Sequence, residues 1–184
     1  MSESDSSSTQ QGPVEPPVSP GRWVLDPARS TVSFQSRSIW GLVNVKGVFS
    51  RVSGEGEVRA DGSAHGALTI DAASVDTKQG KRDTHLRSKD FFDVEKHPTL
   101  SFTASEVSAG ADGTAIVSGE LTVRGTSKPY TFTARTPEVS ADAVTLTAEL
   151  VIARADFGIT WNQAGMIKPD TAVAITARFT RVAD

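Results

Sequence analysis

Between Trp23 and Phe179 the chain alternates apolar and polar residues with period two, and this alternation governs what it can fold into. Successive side chains of a strand point to opposite faces, so the pattern marks half-buried β-strands. Val32 and Phe34 share a face in "TVSF", Val43, Val45 and Phe49 in "VNVKGVF", and Leu68, Ile70 and Ala72 in "LTIDA". The same parity joins Leu100, Phe102 and Ala104, then Val117, Gly119, Leu121 and Val123, then Tyr130, Phe132 and Ala134. Two longer runs follow, one through Val144, Leu146, Ala148, Leu150 and Ile152, the other through Val173, Ile175, Ala177 and Phe179. With "GEGEVRA" this makes eight or nine strands.

The connections are short and rich in Gly and Asp: ADG at 60–62 and 111–113, RGTSKP at 124–129, SADA at 140–143. Such segments suit hairpins between antiparallel neighbours. Evenly spaced strands joined this way predict an all-β closed barrel or sandwich. The inward parity mixes bulky residues with Ala72, Ala104, Gly119, Ala134, Ala148 and Ala177. An eight-stranded barrel is just wide enough to be filled by side chains or to hold one small ligand. Small inward residues on so many strands predict an interior cavity.

Residues 1–20 stand apart. They hold six Ser and four of the nine Pro, no aromatic residue, and three acids without a base. A segment of this composition buries too little apolar surface to offset its ordering entropy, which predicts a disordered tail ahead of a 21–184 barrel domain. Glu3, Asp5 and Glu15 account for the whole net charge of −3, so residues 21–184 sum to zero. A neutral domain offers nucleic acid no electrostatic footprint. The chain has no cysteine, which excludes disulfides and thiolate chemistry. No apolar run is long enough for a spanning helix, and the tail has neither the basic nor the apolar region of a secretion signal, so no stable membrane insertion and a cytoplasmic location are expected.

One stretch breaks the alternation: "VDTKQGKRDTHLRSKDFFDVEKHPTLSF", residues 75–102. Asp76 and Gln79 have capping-box spacing, predicting a helix from about Lys78 to Arg87. Leu86 is its one large apolar residue, so the helix has no stripe to bury and needs specific anchors. Ser88 is read as capping a further turn that brings in Phe91 and Phe92. The insertion, about 78–92, is thus a polar plug with an aromatic latch capping one end of the barrel. Asp83 and His85, two apart, point to different sides of a helix and make a poor catalytic pair. His65, His85 and His97 show no metal-ligand spacing, and no strained nucleophile turn occurs. Neither catalytic residues, metal nor cofactor are therefore assigned. Arg82, Asp83 and His85 read first as ties between plug and rim, while Lys81, Arg82 and Arg87 could hold an anionic head group.

"WVLDPARSTVSF", "KRDTHLRSKDFFDVEKHPTLSF", "GELTVRGTSKP" and "RADFGI" resemble successive signatures of the YceI-like family of lipid-binding proteins. The resemblance implies an eight-stranded antiparallel lipocalin-like barrel with a short helical insertion. It also implies a non-enzymatic protein that stores or transports an isoprenoid lipid or quinone in an apolar channel. Parity and this resemblance nominate Phe34, Phe49, Phe102, Phe132, Leu146 and Ile175 as lining. Phe91 and Phe92 join them from the insertion, and Trp40 and Trp161 from irregular segments. Arg82, His85 and Arg87 are nominated for the head group. Trp23 is read as a clasp at a barrel end, and Arg154-Ala155-Asp156 as a salt-bridged strand end. Rival readings are an enzyme acting on a lipid-like substrate through His85 or Asp83, and a stress-related interaction module using the tail. Either a monomer or a homodimer fits.

Overall fold

The computed structural model describes residues 18–38, 43–162, 165 and 167–183. The strands are β1 (Gly21–Leu25), β2 (Thr31–Ser38), β3 (Val43–Phe49), β4 (Val52–Val58), β5 (Ala64–Asp71), β6 (Val75–Asp76), β7 (Thr99–Ala109), β8 (Thr114–Val123), β9 (Thr126–Val139), β10 (Ala143–Ala153) and β11 (Ile167–Arg181). One helix, α1 (Gly80–Arg87), lies between β6 and β7.

These segments make an eight-staved closed barrel because two staves are each broken once. β1 and β2 both lie antiparallel to β11, at Phe179–Arg181 and over 167–176 respectively. The break between them is a turn in which Asp26 accepts from the Ala28 amide and the Ser30 hydroxyl donates to the Asp26 carbonyl. Ser30 also accepts from the Arg178 amide, at 3.0 Å, which keeps the broken stave seated on β11. β3 pairs with β2, and β4 with β1 and β5. From β5 the ladder runs through β7, β8, β9 and β10 to β11, and the β1–β11 pairing closes the ring. The sandwich alternative is thereby excluded.

The β8–β9 turn is tighter than the RGTSKP segment at 124–129 marked in the sequence, because Thr126–Pro129 already belong to β9 and pair with β8. Between β8 and β9 only Arg124 and Gly125 intervene, both at positive φ, as a two-residue primed hairpin demands. Asp112 and Gly113 also stand at positive φ (52° and 72°), within the longer β7–β8 connection at 110–113.

The ring is incomplete at one place. The outer edge of β3 meets only the two residues of β6, with Val48 opposite Asp76 and Phe49 opposite Val75. Residues 72–98 fill the remaining gap. α1 is shorter than predicted and its cap differs: Gln79 occupies the N-cap without a side-chain bond. Asp76 accepts from the amide of Lys78, closing a tight local turn instead of a capping box. Lys78 stands at φ 63°, outside the helix. Asp83 is the acid that supports the first turn, where a carboxylate complements the helix dipole.

The principal apolar core sits between barrel and insertion. It includes Leu25, Phe49, Leu68, Ile70, Val75, Leu100, Phe157 and Ile159. Residues 19 and 20, assigned above to the tail, already engage the barrel: Ser19 donates to the Ala141 carbonyl, and Pro20 accepts from Arg181. The remainder of the proposed tail, residues 1–17, lies outside the described residues. Among the described residues, no helix is long and apolar enough to cross a membrane.

Candidate functional site: an apolar cavity inside the barrel

The inward faces of the staves enclose a cavity of about 1290 Å³. A filled core would leave few voids larger than a water molecule, so the volume is a property of the residues chosen for the inner face. Gly56, Gly66, Ala104 and Gly119 are paired in register across β4, β5, β7 and β8, and leave that part of the wall nearly bare of side chains. Gly119 has a second reason to be glycine, since a Cβ there would run into the Thr103 carbonyl. The ladder shifts register beside this point, between Ala64 and Gly66 and between Ala104 and Glu106.

Against this bare wall stand aromatic groups. Phe34 meets Phe49 at 5.6 Å between ring centroids, and Phe49 meets Phe92 at the same distance. Phe102 and Phe132 form a second pair at 5.6 Å. At the insertion end the His85 ring stands edge-on to Trp161 (4.5 Å) and to Phe91 (5.1 Å). Spacings of this kind are favourable for aromatic pairs beyond their area burial. The two phenylalanines of the insertion therefore divide the latch. Phe92 extends the row on the barrel wall, while Phe91 joins α1 to the β10–β11 connection.

At the opposite end Trp23, 2% exposed, lines the cavity, its indole N–H donating to the Ser19 carbonyl at 3.0 Å. Ser36 and Thr171, 2.9 Å apart through their hydroxyls, are a polar pair on the lining.

Within the insertion, α1 is tied to neighbouring residues by polar anchors rather than by an apolar stripe of its own. Asp83, 8% exposed, accepts from both the amide and the hydroxyl of Thr77. Arg82 donates to the Thr77 hydroxyl (2.8 Å) and carbonyl (2.9 Å). Arg87 donates to the Ala73 carbonyl (2.9 Å) and the Val75 carbonyl (3.1 Å). His85 Nε2 lies 2.9 Å from Asp90. Asp83 and His85 thus serve separate contacts on different sides of α1.

Of the nominated lining residues, Phe34, Phe49, Phe91, Phe92, Phe102, Phe132, Leu146, Trp161 and Ile175 all face the cavity. Trp40 lies outside the described residues. Among the nominated polar residues Arg82 and His85 reach the lining, whereas Arg87 does not, because its guanidinium is committed to the 73–75 backbone.

Two lining groups were not nominated. Tyr130, on β9, brings a phenol whose pKa is raised by burial and, second, by Asp156. Its inward parity was the available signal. Arg154 corrects the salt-bridge reading of "RAD". Its guanidinium makes no bond to Asp156 and donates instead to carbonyls of the β10–β11 connection, at 2.7 Å to Trp161 and 3.4 Å to Ile159. It also reaches the Lys168 carbonyl at 3.3 Å. Burial pushes its pKa below the usual guanidinium value. A rigid five-donor fork suits this gathering of backbone acceptors. No local spacing could have announced it.

Fold and interior together define a closed antiparallel lipocalin-like barrel built around an apolar hollow. The YceI-like domain profile matches residues 23–179, and the chain belongs to that family. A UPF0312 protein of Ectopseudomonas mendocina is 42% identical over 69 residues, a stretch that covers 38% of this chain and 36% of the relative. A UPF0312 protein of Pseudomonas aeruginosa is 47% identical over 68 residues, covering 37% and 35%. These matches span little more than a third of either relative. Among solved structures, BcnA of Burkholderia cenocepacia superposes with a TM-score of 0.75 at 22% identity, covering 84% of this chain and 98% of that one. A polyisoprenoid binding domain from Saccharophagus degradans gives 0.70 at 20% identity, covering 87% and 98%. A Campylobacter jejuni YceI protein gives 0.69 at 26% identity, covering 77% and 88%.

Proposed function

We propose that the protein binds a long-chain isoprenoid lipid, a polyprenyl chain or an isoprenoid quinone, inside the barrel and stores or carries it. The observation that carries this reading is the cavity itself. At about 30 Å³ per water-sized group, 1290 Å³ has room for on the order of 40 non-hydrogen atoms. That is the size of a prenyl chain of about eight isoprene units. Filling an apolar hollow of this kind with a hydrocarbon chain restores the dispersion contacts its lining lacks.

At roughly −0.3 kcal/mol per non-hydrogen atom, such a chain reaches about −12 kcal/mol, a nanomolar dissociation constant. Arg82 and His85 meet the polar head at the insertion end, together with the Ser36–Thr171 pair. The polyisoprenoid binding described for the Saccharophagus degradans domain supports the same ligand class. Binding needs no reacting group, and the Asp83 carboxylate that an enzyme reading would use is committed to Thr77.

The test is organic extraction of the purified protein with mass spectrometry of the extract, followed by reloading of the stripped protein with a prenyl quinone. One lipid per chain and saturable reloading support the reading. A protein that emerges clean and takes up no prenyl quinone overturns it.

A further inference from the structure

Gly47 lies on β3 directly opposite Phe34 on β2, at an inward-facing position. It is buried, yet it is not part of the cavity lining. The Phe34 ring occupies the place where its side chain would be. A Cβ at position 47 would overlap Phe34 Cζ, lie 2.7 Å from Phe34 Cε1 and lie 2.9 Å from Thr77 Cγ2. Real Cβ atoms do not approach other atoms so closely, so something must yield. Thr77 is the poorer candidate, since its hydroxyl and backbone are held by Asp83 and Arg82. On its other flank Phe34 is opposed by Val173 of β11, and the adjacent Phe49 ring stands 5.6 Å away. The open direction is the cavity.

We propose that Phe34 sets how long a chain the cavity accepts, and that Gly47 is the positioning residue that keeps the Phe34 ring folded against the wall and clear of the channel. This inference rests on the proposed isoprenoid binding. It goes beyond it by naming the side chain that selects ligand length and the residue that controls it. Covering a strand glycine with a cross-strand aromatic ring is a known device for stabilising a sheet. Here the same packing fixes the free cross-section of a binding channel.

The experiment measures uptake of a ladder of isoprenoid quinones with geranyl, farnesyl, tetraprenyl and octaprenyl chains by the stripped full-length protein. Gly47→Ala tips the ring inward and lowers affinity for the octaprenyl quinone about tenfold or more, with little change for the geranyl quinone; single-methyl differences in apolar pockets act on this scale. Phe34→Ala combined with Gly47→Ala restores long-chain uptake to within about threefold of the parent, because the displaced ring is gone. Phe34→Trp, which leaves Gly47 in place, shortens the accepted chain on its own and serves if Gly47→Ala folds poorly.

A parent protein that takes up no member of the ladder overturns the proposed function, and this inference with it. A parent that binds the ladder while Gly47→Ala and Phe34→Trp bind the same lengths equally well overturns this inference alone. The same holds if the double variant is no better than Gly47→Ala.

Discussion

The cavity is walled in two different ways. From β5 through β7 to β11 the wall is a continuous ladder of backbone hydrogen bonds, with side chains assigned to the inner or outer face by parity. Between β3 and β7 it is the 72–98 insertion, joined to β3 by two residues of strand pairing and to the core by Val75, Phe91 and Phe92, with α1 tied back to residues 73–77 by side chains: Arg82 and Asp83 on Thr77, and Arg87 on the 73–75 backbone. A ladder distributes its stability over many equivalent bonds. The insertion has few such bonds and relies on a small set of polar side chains and on its share of the apolar core. The difference teaches that the barrel is robust wherever the pattern repeats, and that the cavity wall is most easily altered where it does not.

The largest expected effect tests where the two walls meet. Phe157, 2% exposed, packs into the core shared by barrel and insertion. Phe157→Ala is expected to cost about 3–5 kcal/mol in urea unfolding. A cost near that of an exposed substitution would show that the insertion end is not packed as described.

Next comes the anchor itself. Asp83→Ala strands the Thr77 amide and hydroxyl inside the fold and is expected to cost about 3 kcal/mol, lowering the melting temperature by roughly 6–12 °C. Thr77→Val removes a weaker share of the same network and is expected to cost less.

Hydrogen exchange sharpens the comparison without mutation. Amides of residues 80–97 should exchange through local opening at lower protection than those of β8, β9 and β10. Equal protection in both regions would mean that the insertion opens only when the barrel does.

The smallest effect belongs to the ladder's own polar anchor. Glu138 on β9 accepts from Arg178 on β11 at 3.0 and 3.1 Å, and from Thr145 on β10 at 2.8 Å. These bonds hold its pKa below the ordinary value of 4.5, hydrogen bonding to Arg178 contributing most. A lowered carboxylate pKa gives stability that is present above pH 4.5 and is lost as the pH falls through the lowered value. Urea midpoints of the parent should therefore fall between pH 6 and pH 3 by slightly more than those of Glu138→Gln. Equal losses would show that this exposed cluster does not couple to folding.

Much of the ladder was legible because its information is local. Period-two alternation places Phe102, Phe132, Leu146 and Ile175 on the inner face without reference to any distant residue, and the structure finds all four on the cavity. Turn residues such as Gly125 and Asp112-Gly113 mark their connections by backbone preference, whereas the positive φ of Arg124 does not follow from its residue type. The insertion was legible only as an interruption. Its capping-box spacing at Asp76 and Gln79 was real in the sequence, but Asp76 satisfies the Lys78 amide instead, and the helix begins later at Gly80. Arg87 looked like a free rim cation and proved to be an internal tie.

By itself, then, the sequence determined the all-β character of the chain, the sides of the strands and the apolar nature of the interior, because a two-residue period and a turn residue act through immediate neighbours. Only the tertiary structure decided how the broken staves align to close eight around the ring, which carbonyls Arg154 gathers, and that the Phe34 ring rests in the space left by Gly47. Each of these depends on atoms brought together from opposed strands or separate connections. Their proximity is created by closure of the barrel, and no pattern along the chain records it.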